Sequence, residues 1–271
     1  MAVFAPRAVL GAAALAAVAL LASSCSPSGS AKAGSADYYW SAARATYEAG
    51  DYPQTVDNLD HLLDSPDYAS RAIPWSLVLT GGMAAGYAEI AADYTKGAHA
   101  PGANDAAFHR KAAEYLDLAN PLVLAAARLV DKLAQQPNGS VTLAFGRPRG
   151  SLAPPPVLYR IAAGLAVPPS DAEAAPGIAV ERSVLRAACA AVGSPGDSAK
   201  ASDILSHAST ITPRATFAKA MADVLERAGT AYSREQLNYP DRLAMVADRV
   251  RALRDVASNP GPPMVIRVKA Q

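Results

Sequence analysis

Apolar residues recur at helical spacing along most of the chain, and the first clear pattern covers residues 37–67. An alanine-rich run from Tyr38 to Ala49 stops at Gly50, a residue that readily takes the left-handed conformation needed at a helix C-terminus. A second helix follows, and its apolar face consists of Val56, Leu59, Leu62 and Leu63. Two helices joined by so short a connection predict an αα-hairpin.

The same spacing continues in the next two segments. Residues 71–95 are largely apolar, and Gly82 and Gly86 lie four residues apart, which places both on one helix face and predicts the close approach of another helix. Residues 105–135 predict a further helix pair. Its break is expected at Asn120-Pro121, because a residue before proline disfavours the helical conformation.

Residues 136–156 interrupt the helical pattern. Their glycines and prolines exclude a long helix, and residues 141–145, VTLAF, can form a short strand at most. Arg147 and Arg149 make the tip of this insertion basic. A solvated loop and a contact with an acidic partner both explain the two arginines.

Helical spacing returns over residues 157–271. We predict one helix over residues 178–192 and two more that begin near Pro213 and Pro240. Residues 264–269, MVIRVK, predict a short extended segment. We find no repeat in this half of the chain.

The chain opens with a pattern of a different kind. Arg7 is followed by an uncharged apolar run over residues 8–21 and by small residues up to Cys25. An apolar core of roughly 7–15 residues is typical of a signal peptide, whereas a membrane-spanning helix needs about 20. We therefore predict an export signal over residues 1–24, with a retained membrane anchor as the alternative.

The sequence LASSC at residues 21–25 resembles a bacterial lipobox, where signal peptidase II cuts before a lipidated cysteine. The resemblance implies acyl chains on Cys25 that bind a bilayer, followed by a flexible tether over residues 25–36. In a Gram-negative cell, Ser26 after the cysteine implies a lipoprotein of the outer membrane that faces the periplasm. In any other bacterium, we expect the protein on the outer face of the cell membrane. Cleavage by a type I peptidase, which leaves Cys25 a plain thiol, is the alternative.

The hairpin of residues 37–67 resembles a tetratricopeptide repeat (TPR). The matching positions are Ala43, Gly50, Asp51, Tyr52 and Leu59. The resemblance implies an all-α fold of antiparallel helix pairs, stacked as a TPR-like solenoid or right-handed superhelix. We expect this TPR-like segment over residues 37–135, a Gly/Pro-rich loop over 136–156, and a helical C-terminal segment over 157–271 packed on the first.

Composition and charge narrow the classes of function. Hydrophobic residues make up 51% of the chain and charged residues 18%, which is enough apolar surface to bury a core. The formal net charge of +1 at pH 7 provides no long-range attraction to nucleic acid. A nucleic-acid-binding protein is therefore set aside.

No motif for catalysis is found in the sequence. The histidines fit neither HExxH nor another zinc motif; they are His61, His99, His109 and His207. No GxSxG is present, and Cys189 lies in an apolar helical pattern that predicts a buried, unreactive thiol. We expect no catalytic residues, no cofactor, no metal and no enzyme activity.

One acidic cluster is a candidate binding face. Asp57, Asp60 and Asp64 are spaced so that they stack on one side of a helix, opposite its apolar face. Such a face can steer a basic partner or bind a divalent cation. A solvated helix surface explains the same residues.

These patterns predict a non-catalytic envelope lipoprotein that acts as a helical-repeat scaffold for protein–protein interaction at the membrane surface. Its expected partners are the bilayer, through Cys25, and another envelope protein. The alternative is a small-molecule-binding accessory of a transporter, since the outline resembles the TRAP-transporter-associated TPR lipoproteins. An envelope enzyme is a third possibility, and it requires polar groups that converge in a cleft.

Overall fold

The computed structural model describes residues 31–136, 139–207 and 209–259. Within these ranges the chain forms nine α-helices, one 3₁₀ turn and one antiparallel pair of strands. The helices are α1 (Ala36–Ala49), α2 (Tyr52–Asp60), α3 (Ala69–Ala98), α4 (Asp105–Ala134), α5 (Pro156–Ala162), α6 (Pro169–Ala191), α7 (Ser198–Leu205), α8 (Arg214–Gly229) and α9 (Pro240–Ser258). The strands are β1 (Ser140–Leu143) and β2 (Thr210–Pro213). The predicted mostly helical fold is confirmed.

Several predicted features lie outside the described residues. They are the signal peptide over residues 1–24, the lipidation site Cys25 and the extended segment over residues 264–269. Across the described ranges, no helix combines the length and the apolar composition that crossing a bilayer requires.

Helix α3 forms the centre of the fold. Every residue from Ala72 to Gly86 is buried, including Trp75 and Leu79, whose side chains are fully covered. A helix that is apolar all round is stable only when neighbours cover each of its faces. Helices α4, α6 and α8 all pack against α3 and provide that cover.

Two glycines let α6 approach α3 closely. A Cβ added at Gly86 would lie 2.8 Å from the Cα of Val180, closer than real Cβ atoms come to backbone. Gly82 faces the same helix one turn earlier, next to Val184. The close helix approach predicted from the spacing of Gly82 and Gly86 is confirmed.

The helix break predicted at Asn120-Pro121 is wrong. Helix α4 continues through this point, just as α3 continues through Pro74. A proline removes one backbone hydrogen bond and crowds the preceding turn, but the apolar face of α4 packs along the whole of α3 and offsets that cost. The side chain of Gln136 reaches the carbonyl of Ala69, so the antiparallel pair is α3 with α4.

The N-terminal hairpin forms at the predicted turn. Gly50 has a φ of 83°, and its N–H donates to the carbonyl of Tyr47 at 3.0 Å. The ring of Trp40 contacts that of Phe145, and the rings of Tyr47, Trp75 and Phe145 contact one another, with centroids between 5.0 and 5.4 Å apart. These ring contacts fix both the hairpin and the insertion on α3.

The insertion pairs with a strand that the sequence does not predict. Strand β1 confirms the short strand expected within residues 141–145, and Val141 lies opposite Thr212 of β2. Three β-branched residues in a row, at 210–212, favour the extended conformation of β2. The helix predicted to begin at Thr212-Pro213 therefore begins after β2, at Arg214.

The remaining helices follow the predicted apolar spacing. Helix α6 begins earlier than the predicted residue 178, and α9 begins at Pro240 as predicted. The apolar residues of α8 that recur at helical spacing are all buried: Phe217, Met221, Val224, Leu225 and Ala228. In α9, Val246, Val250 and Leu253 are buried, whereas Leu243 is 40% exposed.

Candidate functional site

A cleft of about 470 Å³ opens where α1, the insertion and the end of α7 meet. Three stretches that are far apart in sequence form its walls. The lining residues are Arg44, Tyr47, Glu48, Ala144, Phe145, Gly146, Arg147, Arg149, Leu205, Ser206 and His207. Hereafter we call this site the cationic cleft, because arginines dominate its charged groups.

The floor of the cationic cleft is aromatic and rigid. Tyr47 and Phe145 are almost fully buried, and their ring centroids are 5.0 Å apart. The Tyr47 hydroxyl donates a hydrogen bond to the carbonyl of Gly146, which ties α1 to the insertion. Burial raises the pKa of Tyr47 far above its ordinary value. The neighbouring Tyr52 raises it further, by a smaller amount. Tyr47 therefore stays a neutral hydroxyl.

Backbone carbonyls hold two arginines of the insertion in place. The guanidinium of Arg149 donates to the carbonyl of Glu48 in the last turn of α1, and its backbone N–H donates to the Tyr52 hydroxyl at 2.9 Å. The guanidinium of Arg147 donates to the carbonyl of Gly150 at 3.2 Å. These bonds satisfy some donors and leave the positive charges uncompensated.

The three arginines of the cationic cleft have no carboxylate partner among the described residues. Arg44, Arg147 and Arg149 take part in none of the ion pairs there, which involve Arg182, Arg186, Arg249, Arg251 and Arg254. Glu48 is the single acidic residue of the lining. A cluster of like charges beside low-dielectric walls attracts anions, so the cleft can bind a negatively charged group.

The predicted acidic face lies elsewhere and is partly neutralised. Asp57, Asp60 and Asp64 are exposed on α2 and the turn after it, and none lines the cationic cleft. Asp64 forms an ion pair with Lys132 of α4. Partial desolvation of its carboxyl group, and then the charge of Asp57, raise the pKa of Asp60. No group of three or more His, Cys, Asp or Glu within the described ranges could hold a metal ion.

A charged network within the helical body is not predicted by the sequence. Glu89 of α3 accepts hydrogen bonds from Arg182 and Arg186 of α6, and the Ser183 hydroxyl lies 3.3 Å away. One turn further along α3, burial and the negative charge of Glu89 raise the pKa of Asp93 to about 6. The acidic pair at four-residue spacing on an apolar helix is the only sequence signal for this network.

Cys189 has the environment predicted for it. Its side chain is fully buried in α6, next to Leu185 and Ala201. Burial raises the pKa of the thiol, which lowers the fraction of reactive thiolate at neutral pH. The prediction of a buried thiol is confirmed.

A second pocket, of about 390 Å³, is mainly apolar. It lies where the turn between α3 and α4 meets the connection between α5 and α6. Its larger lining side chains are Tyr94, Phe108, Lys111, Ile161, Leu165 and Val167. Arg160 donates to the carbonyl of Ala166 at 3.1 Å and so holds one wall of this pocket in place.

Comparison with known proteins gives no relative from which a site could be transferred. No family model, curated protein or solved structure matches the chain.

Proposed function

We propose that this protein is a non-catalytic lipoprotein of the bacterial envelope, acting as a helical scaffold that binds a protein partner at the membrane surface. The observation that carries the proposal is the cationic cleft. It offers three arginines without carboxylate partners over a rigid aromatic floor, which suits binding. Ser206 and His207 also line it, but the Ser206 hydroxyl donates to the carbonyl of Asp203 and the His207 ring contacts the carbonyl of Ile204, so these two side chains are not paired as a nucleophile and its base.

The anchor in this proposal is Cys25, acylated after cleavage before it. Residues 25–36 then form the tether, and α1 begins at its end with Ser35 as the capping residue. Arg44 lies about two helical turns further along α1. One wall of the cleft thus belongs to α1, the first of the described helices. The site faces the periplasm from the outer membrane of a Gram-negative cell, or lies on the outer face of the cell membrane otherwise.

We also propose that the hairpin of α1 and α2 is a TPR-like unit and that α3 and α4 continue the stack. Two positions of the resemblance fit such a unit in their surroundings. Ala43 is fully buried at the small position, and Gly50 has the positive φ that its turn requires. Stacked helix pairs of this kind provide extended binding surfaces for protein partners.

Photo-crosslinking in living cells tests the proposed function. A photoreactive phenylalanine analogue replaces Ser206, which is exposed at the cationic cleft, and in a matched control replaces Leu118, which is exposed on α4 outside it. We expect a discrete protein adduct from position 206 that position 118 does not give. Identical adducts from both positions, or none from position 206, would contradict the proposal.

The second candidate function is that of a small-molecule-binding accessory of a transporter. The mainly apolar pocket beside Tyr94 and Phe108 favours it, because its volume lies in the range of ligand sites. Native mass spectrometry of protein purified from its host tests this candidate. A retained small molecule that is lost on Phe108→Ala would support it, and protein of the bare chain mass throughout would not.

A further inference from the structure

We infer that the ligand of the cationic cleft is an acidic peptide segment, with Asp or Glu carboxylates against Arg44 and Arg147 and an apolar side chain against the floor. This inference rests on the proposed function, because it names the chemistry of the partner. Its support comes from the charges, the fixed geometry and the shape of the cleft.

The charges of the cleft call for a carboxylate-rich ligand. Three arginines and one acidic residue, Glu48, line the cleft, and none of the three arginines is in an ion pair among the described residues. The planar guanidinium fork matches a carboxylate with two parallel hydrogen bonds. A ligand with more than one carboxylate would therefore offset the mutual repulsion of the arginines and use their remaining donors.

The positions of the charges are partly fixed before any ligand binds. The carbonyl of Gly150 orients Arg147, and the carbonyl of Glu48 orients Arg149. The side chain of Arg44 is exposed and makes no hydrogen bond within the described structure, so it is available to close on a ligand. Pre-oriented groups bind more tightly because less conformational entropy is lost on association.

The shape of the cleft favours a peptide over a bare anion. A volume of about 470 Å³ exceeds what an inorganic ion fills, so such an ion would leave most of the cleft to water. A peptide that carries an apolar residue beside its acidic residues pairs with the arginines and also fills the space above the aromatic floor. Aromatic floors with arginine neighbours are typical of the energetically dominant part of protein interfaces.

Binding of a short synthetic peptide tests the inference. The probe contains Asp and Glu around one Phe, and the control peptide carries Asn and Gln in their place. Calorimetry on the full chain in detergent should show the acidic peptide binding at least about tenfold more tightly than its amide counterpart. Affinity should fall as salt is raised, and inorganic phosphate should bind more weakly than the peptide.

Variants assign the binding to the cleft. Arg44→Gln and Arg147→Gln should each weaken acidic-peptide binding about tenfold. Arg110→Gln, at an exposed position of α4 outside the cleft, is the matched control and should change affinity less than about twofold. Circular dichroism and melting temperature establish that each variant is folded, and Arg149 is left intact because it also caps α1.

Several outcomes would overturn the inference. They are equal binding of the amide peptide, phosphate binding as tight as that of the peptide, and equal weakening by Arg110→Gln. Self-association abolished by Asp57→Asn would instead assign the cleft to the acidic face of a second copy. A crosslinked partner whose adduct survives Arg44→Gln would contradict the inference alone, whereas peptide binding without any cellular adduct would contradict the proposed function.

Discussion

Gly82 of α3 lies directly against the backbone of Val184 in α6. A Cβ added at Gly82 would lie 2.7 Å from the Cα of Val184 and 3.2 Å from its backbone nitrogen. Backbone atoms cannot move aside as the end of a side chain can. The distance between the central helix and α6 is therefore set by the absence of a side chain at this position.

Gly82→Ala should destabilise the fold by about 1–3 kcal/mol, because the added methyl group forces two packed helices apart. Gly177→Ala is the matched control in α6, where a new Cβ meets nothing within 4 Å. There alanine should increase the free energy of unfolding by about 0.5–1 kcal/mol through its better helix propensity. Urea unfolding of both variants measures the difference. A loss of stability in both, or in neither, would refute the close approach.

Asp93→Asn should make stability less dependent on pH. The pKa of Asp93 is raised from 3.8 to about 6, so the folded state holds its proton more tightly than the unfolded chain does. Ionisation of Asp93 therefore lowers the free energy of unfolding as the pH rises from about 4 through 6. The variant should match the wild type at pH 4 and melt at a higher temperature at pH 8.

Asp117→Asn provides the control for this titration. Asp117 is exposed on α4 and takes part in no hydrogen bond or ion pair in the described structure. Its variant should keep the pH dependence of the wild type. Parallel melting curves for Asp93→Asn and the wild type at every pH would show that Asp93 does not titrate as its surroundings indicate.

Asn120→Ala should destabilise the contact between α4 and the C-terminal half. The Asn120 amide oxygen accepts a hydrogen bond from the Tyr232 hydroxyl at 2.7 Å and another from Arg242. Tyr232 is 1% exposed, so loss of the acceptor leaves a buried hydroxyl without its best partner, at a cost of about 1–3 kcal/mol. Tyr232→Phe removes the hydroxyl itself, so no buried donor is left without an acceptor. It should therefore lower the free energy of unfolding by less than Asn120→Ala does. Equal unfolding free energies for Asn120→Ala and the wild type would contradict this.

The Cys189 thiol should react slowly in the folded protein. It is fully buried, and its pKa is raised by that burial, so both access and thiolate fraction are low. In a Cys25→Ala variant, labelling by an aromatic disulfide reagent should be at least about a hundredfold slower in buffer than in denaturant. Equally fast labelling under both conditions would place the thiol at the surface.

Local rules predict the parts of this fold that depend on neighbouring residues. The turn at Gly50 and the close approach at Gly82 follow from backbone sterics and helix periodicity. The break at Pro121 is mispredicted because the proline rule is local, whereas the packing that keeps α4 continuous comes from α3. Strand β2 is not predicted for a related reason, because the strand with which it pairs lies in the distant insertion.

The cationic cleft, too, can be predicted only in part from local sequence. The sequence marks Arg147 and Arg149 as a basic tip, and an acidic partner is among the explanations it allows. It does not bring Arg44, Tyr47 and His207 to the same place, because only the tertiary fold joins α1, the insertion and the end of α7. Charge without a compensating partner is a property of the assembled site.

The intact mass of the mature protein, purified in detergent from the membranes of its native host, tests most directly whether the chain works as a lipid-tethered protein. We predict a polypeptide that begins at Cys25 and carries acyl chains, and a Cys25→Ser variant that leaves the membrane fraction. A chain that retains Met1, or one that begins at an unmodified Cys25, would contradict the tether.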